Sequence, residues 1–193
     1  FYLLSSVVMN AESLNFSEKS VDEIYKKVLL IWYNANNFYL PYSTNKKITK
    51  PKAKNVLDKW VLSRLNETIK NSTKYFEEYN TVSVCAEMRR FTDDLSTWYI
   101  RRSRDRFNRD DKDAKKILGW VLQESSKLIA PIMPFVAENI YQSVVGHKDS
   151  VHLQAWPDFD EKAIDDKITK KMALTREVVS IALKERDIAK ITL

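Results

Sequence analysis

Five of the ten arginines in this 193-residue chain fall within nine positions: Arg101, Arg102, Arg104, Arg106 and Arg109. They stand directly behind an aromatic pair, Trp98-Tyr99. A guanidinium is a planar fork of donors that meets phosphate oxygens in pairs. An aromatic ring offers a face on which an unpaired base can stack. These residue types at this spacing could hold nucleic-acid bases and their phosphates. Nothing in the stretch pairs a nucleophile with a base, so no residue is nominated as catalytic.

A helix must position this stretch. At about 100° per residue, Val84, Met88, Phe91, Leu95 and Trp98 form one apolar stripe. On the same wheel Arg102, Arg106 and Arg109 continue that stripe, and Arg101 and Arg104 point about 100° or more away. A core-facing side that turns basic has run out of core. The expectation is therefore that Trp98 caps the core and that Arg102, Arg106 and Arg109 face outward to solvent or a polyanion. Arg101 and Arg104 are then free for structural roles. Against a polyanion stand Asp93, Asp94, Asp105, Asp110 and Asp111, several of them one helical turn from an arginine; such exposed pairs contribute only about 0.2–0.5 kcal/mol each.

Charge is unevenly spread. The chain carries +6 overall. Residues 98–116, which include Lys112, hold eight basic and four acidic side chains, and residues 43–59 hold six and one. Two basic segments on a chain whose remainder is acidic point to a polyanionic partner more strongly than the total does. For the 43–59 segment a solvated lysine-rich loop is an equal reading.

Composition excludes several classes. Gly119 and Gly146 are the only glycines, too few for a phosphate-cradling loop or a dinucleotide-binding turn. Cys85, His147 and His152 are too few for a zinc site, and one cysteine makes no disulfide framework, which favours a reducing, cytoplasmic setting. No apolar run reaches the length of a membrane span, so no membrane partner is expected. The chain opens without methionine in an apolar run, Phe1-Tyr-Leu-Leu4, and is expected to be part of something longer.

Along the chain, Ser20 with Glu23 has capping-box spacing, followed by Val21, Ile24, Val28, Trp32, Ala35 and Tyr39 at helical period. Residues 41–54 read as a polar loop. Asn55 and Asp58 open a second helix with Leu57, Val61, Leu65, Ile69 and Phe76 inward, and Asn80-Thr81 breaks it. The arginine helix follows, then a fourth capped by Asp110-Asp111. A short fifth begins at Pro134 and ends at Gly146. Val151, Leu153 and Ala155 alternate as in an extended strand, and a last helix spans roughly 162–188. The fold expected is all-α: an antiparallel helical bundle with a C-terminal extended segment and helix. Trp32, Trp60 and Trp120 are assigned to its core.

The stretch Asp94-Leu-Ser-Thr-Trp-Tyr-Ile-Arg-Arg-Ser-Arg-Asp-Arg-Phe107 resembles the bundle motif of the isoleucyl-tRNA synthetases, notably their archaeal and eukaryotic-like branch. Leu30-Ile-Trp-Tyr-Asn-Ala-Asn-Asn-Phe38 and Asp58-Lys-Trp-Val-Leu-Ser-Arg-Leu65 resemble the starts of the first two bundle helices of class Ia synthetases. Leu128-Ile-Ala-Pro-Ile-Met-Pro-Phe-Val-Ala-Glu-Asn-Ile-Tyr141, Ser150-Val-His-Leu-Gln-Ala-Trp-Pro157 and Leu174-Thr-Arg-Glu-Val-Val179 are similar in order and spacing. Tyr2-Leu-Leu-Ser-Ser6 resembles the exit from the family's catalytic core. Two positions depart from it: Val7, where the family commonly has proline, and Asn36-Asn37, where it often has an aromatic–arginine pair.

The resemblance implies an anticodon-binding domain, with residues 1–18 leaving a catalytic core, 19–146 forming the bundle and 147–193 leading onward. It implies a parent enzyme that uses ATP and magnesium to attach isoleucine to its tRNA. The ATP-site motifs of that enzyme, His-x-Gly-His and Lys-Met-Ser-Lys-Ser, do not occur here, so no cofactor and no metal are expected on this stretch. Its partners would be the isoleucine tRNA and the parent's own catalytic domain, in a monomeric protein. Candidate tRNA contacts are Asn34, Trp98, Arg101, Arg102, Arg104, Arg106, Arg109 and Lys112. The competing readings are a helical interaction or structural module without an RNA surface, and the equivalent domain of a valyl- or leucyl-tRNA synthetase.

Overall fold

A computed structural model describes residues 1–146 and 149–191, and all of these lie in helices, turns or irregular segments. His147 falls outside the described residues. The first rod runs through α1 (Glu18–Ile24), a π-helical turn (Tyr25–Leu29) and α2 (Leu30–Tyr39). Its cap is Ser17, whose side chain accepts from the Ser20 amide. The capping-box reading of Ser20 therefore starts the helix three residues late; both serines satisfy the spacing rule, and the chain uses the earlier one.

The second rod, α3 (Val56–Glu77), is capped by Asn55 and turns through Tyr79, at a left-handed φ, into α4 (Thr81–Asp93), capped by Asn80. A π-helical segment, Asp94–Ile100, continues it into α5 (Arg101–Asn108). Asp111 caps α6 (Lys112–Ile129), and Ala130–Met133 turns the chain into α7 (Pro134–Val145), which ends at Gly146 with φ of 93°. Helices α3 and α4 form one antiparallel hairpin and α6 and α7 another, with α2 laid across the second. Trp32, Trp60, Leu65, Ile69, Phe91, Leu95, Ile117, Leu122 and Tyr141 fill the space between them. Each such side chain contributes about 1.5–3 kcal/mol by leaving water. Trp120, expected with them, is only partly buried at the rim.

The expected strand at 151–155 is instead a 3-10 turn, Val151–Leu153. Alternation over three apolar residues carries no pairing partner, and Val151 alone reaches the core while Leu153 is 82% exposed. The irregular chain that follows is tied across α3: Trp156 Nε1 donates to Thr73 Oγ1 (2.8 Å), and the Asp160 and Asp165 amides donate to Asn66 and Ser63 (2.7 and 2.8 Å). It leads into α8 (Asp166–Ile188), capped by Asp165, which rests Ile168 and Met172 on the bundle.

Cys85 lies in the α3/α4 seam, almost wholly buried, and burial pushes its thiol up to about 11. The thiolate is the reactive form. Alkylation by iodoacetamide near neutral pH is expected to be about a hundredfold slower in the folded chain than in denaturant, rising in step with loss of helical circular dichroism. Rapid labelling of the native protein would contradict this packing.

Candidate nucleic-acid interface

The Asp94–Ile100 segment decides which way the arginines point. Its hydrogen bonds run i→i+5 rather than i→i+4, so everything downstream slips by about one residue, some 100°, relative to a continuous α-helix. The buried positions record the slip: Val84, Met88, Phe91 and Leu95 are followed by Tyr99, Ser103 and Phe107, not by Trp98, Arg102 and Arg106. Wheel arithmetic that assumes 100° throughout is therefore correct up to Leu95 and wrong by one residue beyond it.

Arg106 is the principal correction. It was expected outward, yet its side chain is 18% exposed and forks onto Asp58, Nη1 to Oδ1 at 2.7 Å and Nη2 to Oδ2 at 2.8 Å. Its Nε donates to Asp111 at 2.8 Å. The Tyr99 hydroxyl donates to the same Asp58 Oδ1 at 2.9 Å. Asp58, read from sequence as a first-turn residue of α3, is a carboxylate only 1% exposed at the centre of this cluster. The Asp58 hydrogen bond raises the Arg106 pKa further above its ordinary value, against the opposing effect of burial. Burial, reinforced by Asp58, pushes the Tyr99 phenol well above its ordinary range. Asp111 is held low, first by the Ala114 amide it caps and then, against some desolvation, by Arg106. Arg106 ties α5 to α3 and α6; it is a strut.

Arg101, Arg102, Arg104 and Arg109 are exposed, and among the described residues none has a carboxylate within ion-pairing distance. The structural role expected for Arg101 and Arg104 thus belongs to Arg106. The aspartates named as their partners bind other cations: Asp110 takes Lys115, while Asp93 and Asp94 take Arg176. Trp98 is half-buried at the bundle's edge, as a cap on the core should be. The guanidinium carbons of Arg102 and Arg176 each lie 5.4 Å from its ring centroid, within cation–π range.

Arg176 was not singled out from the sequence. It comes from α8, 82 residues after Asp94, and no local pattern marks that encounter. Beneath it Arg64 of α3 donates to Asp94 at 2.8 Å, and also to Glu67 and Glu87. Asp94 and Glu87 are both buried. Burial works against the Arg64 charge, but Asp94 with the neighbouring glutamates outweighs it and raises its pKa.

Asn34 is exposed on α2, one turn before Phe38. Phe38 packs edge-on against Phe107 of α5 at 5.0 Å between centroids, so Asn34 lies on the side of α2 that meets the arginine helix. Lys112 opens α6 three residues beyond Arg109 and is exposed. The structure thus gathers Trp98, Arg101, Arg102, Arg104, Arg109 and Lys112 along one rod and its turn, and excludes Arg106.

A metal–nucleotide centre does not fit the residues present. Among the described residues no three His, Cys, Asp or Glu side chains converge on one point. Gly119 lies within α6 against Tyr39 and Ile48, and Gly146 closes α7, so neither opens a phosphate loop. Among the described residues no helix is long and apolar enough to cross a membrane.

A bundle with this exposed basic edge is an anticodon-binding domain: residues 58–193 match the family model described as the anticodon-binding domain of tRNA ligase, and the chain belongs to that family. Its relatives include the isoleucine–tRNA ligase of Clostridium acetobutylicum, 38% identical over 191 residues, covering 91% of this chain and 18% of that protein. The isoleucine–tRNA ligase of Bdellovibrio bacteriovorus is 34% identical over 199 residues, covering 96% and 19%. This chain thus spans under a fifth of the curated relatives it matches. The fold is shared with a LeuRS of Agrobacterium radiobacter K84 solved in a ternary complex with tRNA and LeuAMS, at a TM-score of 0.60 and 18% identity, covering 85% of this chain and 19% of that one.

Proposed function

We propose that this domain grips the anticodon stem-loop of an isoleucine tRNA within an isoleucine–tRNA ligase. The observation that carries the reading is the row of exposed, unpaired Arg101, Arg102, Arg104 and Arg109 beside the half-buried Trp98. Guanidiniums without carboxylate partners are available to phosphate, and a tryptophan already flanked by cations offers ring area to a base. Membership of the anticodon-binding family supports the ligand, and the names of the relatives support the amino acid. The parent's ATP and magnesium chemistry would lie on other parts of that protein.

The test is salt-dependent binding of an isoleucine tRNA transcript to the full-length protein. Arg101→Ala with Arg102→Ala should weaken binding and lower the slope of log affinity against log salt by about two units, one per lost phosphate contact. The melting temperature should not move, because both side chains are exposed and unpaired. Unchanged affinity and slope would remove these arginines from the interface. A helical module without RNA binding predicts no tRNA affinity at low salt.

A further inference from the structure

The lysine-rich segment between the first two rods builds a second basic site. Lys46 and Lys47 from this loop, with Lys112, Lys115 and Lys116 from the first turns of α6, line one cavity of about 380 Å³ over Tyr42. No carboxylate lines it. Lys115 lies 4.5 Å above the Tyr42 ring and pairs with Asp110 outside the lining. Among the described residues the other four lysines have no acidic partner within ion-pairing distance.

A solvated loop would let such charges splay apart, but this one is fixed. The Ile48 amide donates to Gln123 Oε1 at 2.8 Å, and Gln123 Nε2 donates back to the Ile48 carbonyl at 3.2 Å. Gly119 makes the notch that admits the loop: a Cβ there would meet Ile48 Cδ1 at 2.3 Å and the Tyr39 hydroxyl at 2.2 Å. Upstream, Ser43 Oγ donates to the Ser143 carbonyl at 2.7 Å. Like charges anchored around a concavity repel one another and focus a positive potential into it. An anion with several charges relieves that repulsion.

We propose that this cavity takes phosphates of an RNA backbone, continuing the contact made by the arginine row. The inference rests on the RNA-binding reading above. Continuity favours the polymer: Lys112 follows Arg109 by three residues, at most about 11 Å of chain. Lysine is a point charge on a flexible stem, suited to phosphate without base readout. A free polyphosphate presents the same groups, and the experiment separates the two sources.

The full-length protein is titrated with an isoleucine tRNA transcript across a salt series, as wild type, K46A/K47A and K52A/K54A. Lys52 and Lys54 lie in the same loop but outside the cavity, so the two variants lose equal charge. The expected result is a slope lowered by about two units in K46A/K47A and by less than half of that in K52A/K54A. Acetylation footprinting should show tRNA protecting Lys46, Lys47, Lys112 and Lys116. Equal slope changes in the two variants, or full acetylation of these lysines under saturating tRNA, would overturn the cavity while leaving the arginine interface standing. Protection by tripolyphosphate but not by tRNA would reassign the cavity to a free anion and also overturn the proposal. Absence of tRNA binding at every salt concentration would overturn both readings.

Discussion

Arg106→Ala is expected to destabilise the domain by about 3–5 kcal/mol, the loss that follows when one partner of a buried charge pair is removed. The substitution strands Asp58, a carboxylate with 1% of its surface in water, leaving only the Tyr99 hydroxyl as a side-chain hydrogen-bond partner. It also removes the guanidinium from Asp111 and so loosens the cap of α6. Urea unfolding followed by circular dichroism measures the effect. Arg106→Ala combined with Asp58→Asn should recover part of the loss, because the stranded charge is gone. The cycle between the two positions should show coupling of about 1–3 kcal/mol. A loss below about 1 kcal/mol, accompanied by a lower salt slope for tRNA binding, would return Arg106 to the RNA surface and sink its role as a strut.

Arg64→Met should be the next largest loss, about 3 kcal/mol. It uncovers Asp94 and Glu87 together, both 4% exposed, while retaining a side chain of similar length in the seam. The value falls at the low end because partners remain: Arg176 on Asp94, and Arg90 on Glu87 at 2.9 Å. Arg90 is largely exposed, so Arg90→Ala serves as the control and should stay within about 0.5 kcal/mol of wild type. Equal losses in the two variants would mean that the seam does not depend on Arg64. The same cluster holds Arg176 beside Trp98, so in Arg64→Met the ring should become more mobile, read by its fluorescence anisotropy against a background in which the other tryptophans are replaced by phenylalanine.

Much of the bundle was legible in the sequence, because its determinants are local. Asn55, Asn80 and Asp111 cap the helices they were read to cap, Pro134 opens α7, and Gly146 ends it at positive φ. These features depend on a residue's own backbone preferences and on amides two or three positions away. The stripe from Val84 to Leu95 is likewise a matter of helical period. The basic character of residues 98–116 and the resemblance to the isoleucyl-tRNA synthetases also needed no coordinates.

The allotment of roles within the basic stretch was not legible. A wider i→i+5 turn at Asp94–Ile100 brings Tyr99 rather than Trp98 over the core, and no residue spacing announces it. Asp58 and Arg106 meet across 48 residues, and Arg176 reaches Asp94 across 82. The cavity lysines come from two segments joined by Ile48 in the notch of Gly119, which sequence alone left as a solvated loop or a polyanion site. By itself, then, the sequence determined the helices, their caps, the apolar faces and the location of positive charge, all properties of neighbouring residues along one chain. Only the tertiary structure decided which arginine braces the bundle and which remain free, because that choice is made by packing: a carboxylate buried in one helix must find its cation on another.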